Sequence, residues 1–162
     1  MKKLVIALLL LAATQASFAQ NAGDIFAMFK NKPGAEYVHV PKLMLNVARK
    51  FVDKKQDKDA LQIIKHIDSV RVLDLEDSSD KVKAAFLAET KNFNTKGYEE
   101  LLRTVEDGTR TLILIKSKNN VINELLILEA GNEDCELVQI KGEITQAEID
   151  RLVAEHQKSN KQ

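Results

Sequence analysis

The sequence holds no tryptophan, one cysteine, two prolines, six glycines and two tyrosines in 162 residues. Each shortage excludes something. A lone thiol, Cys135, cannot close an internal disulfide, so the fold has to stand on packing. No His or Lys adjoins Cys135 to depress its pKa, and it reads as a buried, inert thiol at the start of a strand. With no indole and two phenols, an aromatic platform for stacking bases or sugars has little to build on. An excess of one charge is also missing: 24 Lys and Arg stand against 24 Asp and Glu. Nucleic-acid binding needs a concentrated positive field, and none is visible. There is no internal repeat and no low-complexity linker. HExxH, GxSxG, a phosphate-binding glycine loop and CxxC are all absent, which argues against the common enzyme classes. A site assembled from distant loops is left open.

What is present begins at the N-terminus. Lys2-Lys3 precedes an apolar run of ten residues, Leu4 to Ala13, too short to span a bilayer as a helix. Ser17-Phe18-Ala19 then places small residues where a signal peptidase requires them. The expectation is a secretory signal peptide over residues 1–19, cleaved before Gln20, with no cysteine for a lipoprotein anchor. The remaining chain of about 140 residues suits one domain over 20–156 and a polar tail over 157–162. Without Lys2 and Lys3 it carries 22 basic and 24 acidic residues, a net of −2. Its compartment is expected to be the periplasm or beyond, with no integral membrane segment.

The stretch from Tyr98 to Gly142 organises the rest. Leu101–Glu106 and Thr109–Lys116 flank Asp107-Gly108, a strong short hairpin signal because Gly tolerates the positive φ that the turn demands. Val121–Glu129 follows through Ser117-Lys118-Asn119-Asn120, and Cys135–Lys141 through Gly131-Asn132-Glu133-Asp134. Both links are rich in turn formers. Four strands in an antiparallel meander result. Ahead of them, Asp24–Lys30 reads as a short helix with Asp24 as N-cap and Ile25, Phe26 and Phe29 on one side. It is too short and too weakly basic to favour a membrane-surface helix.

Glu36–Val40 alternates as a strand, and Pro41 suits a helix start. Met44, Val47, Ala48, Phe51 and Val52 form an apolar stripe expected to be buried. Asp53–Asp59 is a mixed charge run, read as a solvated loop. Ala60, Leu61, Ile64 and Ile67 mark another helix, and Ser69–Leu75 a strand with apolar residues on both faces. A helix with Val82, Ala85, Phe86 and Phe93 on its buried side follows, capped by Ser78 or Ser79 and stopped near Gly97. Thr145-Gln146-Ala147-Glu148 is a capping box that opens the last helix, with Ile144 and Ile149 as its staple and Ile149, Leu152 and Val153 as its apolar side.

The titratable residues give no site. His39, His66 and His156 lack ligand spacing, and each reads as structural or surface. Glu76-Asp77-Ser78-Ser79-Asp80 lacks the glycine and the regular spacing of a calcium loop, and reads as a helix cap. No catalytic, cofactor-binding or metal-binding residue is assigned, and no cofactor. Were an Arg or His functional, Arg103, Arg71 and His39 come first, because they lie on or beside predicted strands. Paired charges across strands explain them equally well.

Tyr37-Val38-His39-Val40 leading into the Met44 helix, then Ser69-Val70-Arg71-Val72-Leu73, form an ordered set. Tyr98-Glu99-Glu100-Leu101-Leu102-Arg103 with Glu106-Asp107-Gly108 comes next. Leu137-Val138-Gln139-Ile140-Lys141-Gly142-Glu143-Ile144 completes it. In that order and spacing the chain resembles the small secreted bacterial proteins grouped as domain of unknown function 4252. The resemblance implies a cell-envelope protein of Gram-negative type, and it brings no accepted activity and no catalytic residues. A link to envelope signalling beside extracytoplasmic sigma factors is a further implication.

The expected fold is α+β: a two-layer sandwich, mainly antiparallel, with the C-terminal four-strand meander joined by the strands at 36–40 and 69–75 and helices packed on one face. The expected function is non-enzymatic binding of a protein or peptide partner, through a sheet edge or an apolar groove. The alternatives are a small-ligand carrier or small enzyme with its site between helix layer and sheet, and a self-associating structural protein.

Overall fold

A computed structural model describes residues 21–51, 64–148, 150 and 154. The signal segment, the charge run at 53–59, Ala60, Leu61, Ile149, Leu152, Val153 and His156 lie outside the described residues. In order the elements are α1 (Ala22–Phe29), β1 (Glu36–Pro41), α2 (Lys42–Ala48), β2 (Ile67–Asp74), α3 (Asp80–Lys91), β3 (Glu99–Glu106), β4 (Thr109–Lys118), β5 (Val121–Ala130) and β6 (Cys135–Ile144). The strands form one open antiparallel sheet in the order β1-β2-β6-β5-β4-β3. The expected meander is therefore β3 to β6, and the early strands extend it at its β6 edge. No helix among the described residues is long and apolar enough to cross a membrane.

Turn chemistry sets the register. Asp107 and Gly108 both take positive φ, 50° and 82°, and Asn119 and Asn120 take 54° and 61°. These are two-residue turns whose twist matches the strands they join. At Gly142, where β6 passes β2, an added Cβ would collide with the carbonyl oxygen of His66. Only glycine allows that approach.

The sheet buries apolar side chains on both faces, because its central strands carry long apolar runs. Leu112, Leu114, Leu126, Leu128, Leu137 and Leu73 point to one face, where Ile25, Phe26 and Phe29 of α1 and Phe86 of α3 cover them. Phe29 and Phe86 meet edge to face, centroids 5.4 Å apart. The opposite face gathers Ile113, Ile115, Leu125, Ile127 and Ile140, and Leu45 of α2 joins them. Thus α1 and α3 share the expected helical face, and α2 adds cover on the other. Arg110 of β4 donates to the carbonyl of Thr90 at 2.8 Å and so satisfies an end of α3.

Several local expectations shift. The N-cap of α1 is Asn21; Asp24 is the reciprocal partner in a capping box. Ile67 belongs to β2, because its pairing with Gly142 outweighs the helical spacing from Ile64. Ala85 is exposed, and Thr90 takes a buried place on α3. Ser79 caps α3 through its backbone carbonyl alone, without a side-chain bond. Gly97 shapes the turn into β3, while α3 has already ended at Lys91. The largest difference is at α2: Leu45 is buried, and Met44, Val47 and Phe51 stand exposed with Leu43. The capping box at Thr145 and Glu148 forms as expected, the Thr145 amide donating to the Glu148 carboxylate at 2.8 Å.

Candidate functional site

Four features of the sheet can carry a function: a polar chain on its α1 face, an acidic end, a free edge at β3 and the exposed side of α2.

The polar chain crosses three neighbouring strands. Arg71 on β2 lies with its guanidinium 4.4 Å from the centre of the Phe26 ring. Its Nε donates to Gln139 Oε1 on β6 at 2.8 Å, and its Nη2 donates to the same oxygen. The Gln139 amide then donates to the Glu124 carboxylate on β5, which also accepts from the Tyr98 hydroxyl at 2.8 Å. Lys116 of β4 sits over the Tyr98 ring, 4.6 Å from its centre. Glu124 and Gln139 are buried, so their positions matter more than those of surface groups. Gln139 accepts from the cation and donates to the anion, joining two charges too far apart to pair directly.

Burial, the hydrogen bond to Glu124 and the Glu124 charge together push the Tyr98 hydroxyl well above its ordinary value of about 10. In the folded chain it stays neutral when the unfolded chain has begun to ionise. Its stabilisation is therefore full below about pH 10 and is lost as pH rises beyond that. Burial pushes the Cys135 thiol up in the same sense. Unfolding free energy is expected to fall above pH 10, and Tyr98→Phe to flatten that fall, leaving the Cys135 part. Denaturant titrations across alkaline pH check it; an unchanged slope in the variant contradicts the assignment.

The acidic end is a consequence of register. Glu36 pairs with Asp74, Asp74 with Glu136, Glu136 with Glu129, Glu129 with Thr111, and Thr111 with Thr104. Four carboxylates thus stand side by side along one row of one face, an arrangement that repels itself. Asp74, Glu129 and Glu136 of this row border an open cleft of about 500 Å³ whose lining also includes Glu106, Asp107 and Asp134. No group of His, Cys, Asp or Glu among the described residues is arranged to hold a metal ion. The cleft can concentrate negative potential and attract a basic partner.

The sheet has edges at β1 and β3, and β3 is the one beside the acidic cleft. Glu106 and Thr109 flank a two-residue turn and so form the hydrogen-bonded pair of the hairpin. The alternation that follows turns the amides of Thr104 and Glu106 toward β4 and those of Arg103 and Val105 outward. Val105 is 70 % exposed. Phe26, Phe29, Phe86 and Leu73 occupy the space between α1, α3 and the sheet.

The residues favoured from sequence do not converge. Arg71 enters the polar chain. His39 lies opposite Arg71 on the exposed edge strand β1. Arg103 makes an exposed ion pair with Glu100, 2.6 Å. His66 precedes β2 by one residue, five residues along the strand from Arg71 and so roughly 16 Å from the position facing His39. Glu124, Gln139 and Tyr98 were missed. The available signal was a polar residue inside an apolar strand, as in Asn123-Glu124-Leu125 and Val138-Gln139-Ile140.

The family model described as Domain of unknown function (DUF4252) matches residues 29–152, most of the chain. The chain belongs to the DUF4252 family. The match covers β1 to β6 entire, so the polar chain, acidic row and free edge of this DUF4252 chain all fall inside it. Neither the curated proteins nor the solved structures give a match.

Proposed function

We propose that the protein is an exported, non-enzymatic module of the cell envelope that binds a protein or peptide partner by adding a strand to β3. The carrying observation is the open edge of β3, whose Arg103 and Val105 backbone groups face outward beside an exposed valine. Main-chain bonds along such an edge supply affinity, and side-chain surroundings supply choice of partner. Thr104, Glu106 and Asp107 of the same strand and turn line the acidic cleft, which favours a partner segment carrying basic residues. Export rests on the N-terminal sequence pattern, and the single-domain reading over 20–156 on the one sheet that gathers every strand among the described residues.

Val105→Pro deletes one outward amide and leaves the β4 ladder its own bonds. A photo-cross-linker at Leu101 is expected to trap a discrete envelope partner, with the adduct lost in the Val105→Pro background and weakened by salt. An adduct indifferent to Val105→Pro, or none at all, contradicts the reading.

A further inference from the structure

We propose that the exposed side of α2 seats the protein on the surface of an anionic phospholipid bilayer. Leu43, Met44, Val47 and Phe51 recur at helical spacing on the side of α2 and its following turn that faces away from the sheet. Leu43 and Phe51 are 73 % and 84 % exposed, with Leu45 alone of the helix buried against the sheet. Large apolar side chains grouped in water mark a surface that something covers.

The charge around them says what. From Lys42 to Phe51 the chain carries Lys42, Arg49 and Lys50 and no acidic residue. Lys42 is paired with Asp68 at 2.6 Å, while Arg49 and Lys50 make no ion pair among the described residues. Two copies meeting through this surface about a twofold axis would set these cations against each other. The carboxylate row lies at the other end of β1, five residues and about 17 Å from α2. The molecule is therefore polarised along its strands, with the acidic cleft pointing away from whatever α2 touches. Helix α2 is as short as α1, but α1 turns Ile25, Phe26 and Phe29 into the core, whereas α2 and its following turn leave Leu43, Met44, Val47 and Phe51 outside. An anionic bilayer meets both demands: Leu43, Met44 and Phe51 enter the boundary between headgroups and acyl chains, and Arg49 and Lys50 meet the phosphates.

The test is co-sedimentation of the chain from Gln20 onward, which holds every described residue. It is mixed with vesicles of phosphatidylcholine alone, or of equal parts phosphatidylcholine and phosphatidylglycerol. Binding to the anionic vesicles only, weakened by salt, is expected. Leu43→Ser with Phe51→Ser should lower it about tenfold, and Lys50→Glu severalfold. These positions are exposed, so thermal midpoints should stay put and report on folding. Val105→Pro should leave vesicle binding unchanged, which separates this contact from strand addition at β3. Absence of binding to the anionic vesicles overturns the proposal. So does equal binding to the neutral ones, binding that survives the α2 substitutions, or an α2-dependent preference for an acidic peptide with none for vesicles.

Discussion

Phe86→Ala is expected to lower the unfolding free energy by about 3–5 kcal/mol. The ring is fully buried at the centre of the helical face, edge to face with Phe29. It belongs to the same core as Leu73, Leu126, Leu128 and Leu137, side chains held by the ladder of the sheet. A paired backbone cannot move inward to fill a void, so the cavity stays and its cost adds to the lost transfer free energy. The denaturant midpoint should fall with an unchanged slope, showing a loss of stability and not of compactness. A loss below about 1 kcal/mol would mean that α3 is not held on the sheet by this contact.

Gln139→Leu is the second large expected effect, about 2–3 kcal/mol of stability lost. The amide is the only link between Arg71 and Glu124 among the bonds described. Removing it leaves a buried carboxylate with the Tyr98 hydroxyl alone. Arg71 is half-buried and can still reach water, so most of the penalty falls on Glu124. The opposite result is expected when the whole polar chain is replaced. Arg71→Met, Gln139→Leu, Glu124→Leu and Tyr98→Phe together should cost less than Gln139→Leu alone, because no buried polar group is then left unmatched. A combined loss equal to the sum of separate losses would show that the residues act independently.

Much of this architecture was legible where the deciding chemistry is local. Asp107-Gly108 and Asn119-Asn120 take the positive φ that their side chains, or the lack of one, permit. Thr145 and Glu148 cap each other within four residues. The sheet class followed from these turns and from the apolar runs between them. Legibility failed where a distant partner decides. Helix α2 has seven residues, fewer than two full turns, and its apolar residues surround it too widely for spacing to choose a face. Contact with β1 and β2 turned Leu45 inward and left Met44, Val47 and Phe51 out. Ile67 kept helical spacing with Ile64 yet joined β2, since a ladder bond to β6 is invisible in a window of four residues.

The polar chain shows the same limit. Arg71 and Gln139 are 68 residues apart, and Gln139 and Glu124 are 15 apart. Only the register of β2, β6 and β5 sets them on one face. The acidic row likewise exists only after pairing: Glu36, Asp74, Glu129 and Glu136 lie on four strands, and none adjoins another in sequence. The outward amides of β3, by contrast, could be assigned as soon as the Asp107-Gly108 turn was recognised, because turn length fixes which residues of a hairpin face each other.

Strand addition at β3 is tested most directly by amide hydrogen exchange, residue by residue, with and without the cross-linked envelope partner. In the free protein the Thr104 and Glu106 amides should be protected by β4 and those of Arg103 and Val105 should exchange fast. With the partner bound, Arg103 and Val105 should become protected while Thr104 and Glu106 change little. Protection appearing elsewhere, with Arg103 and Val105 still exchanging as in the free protein, would contradict the account.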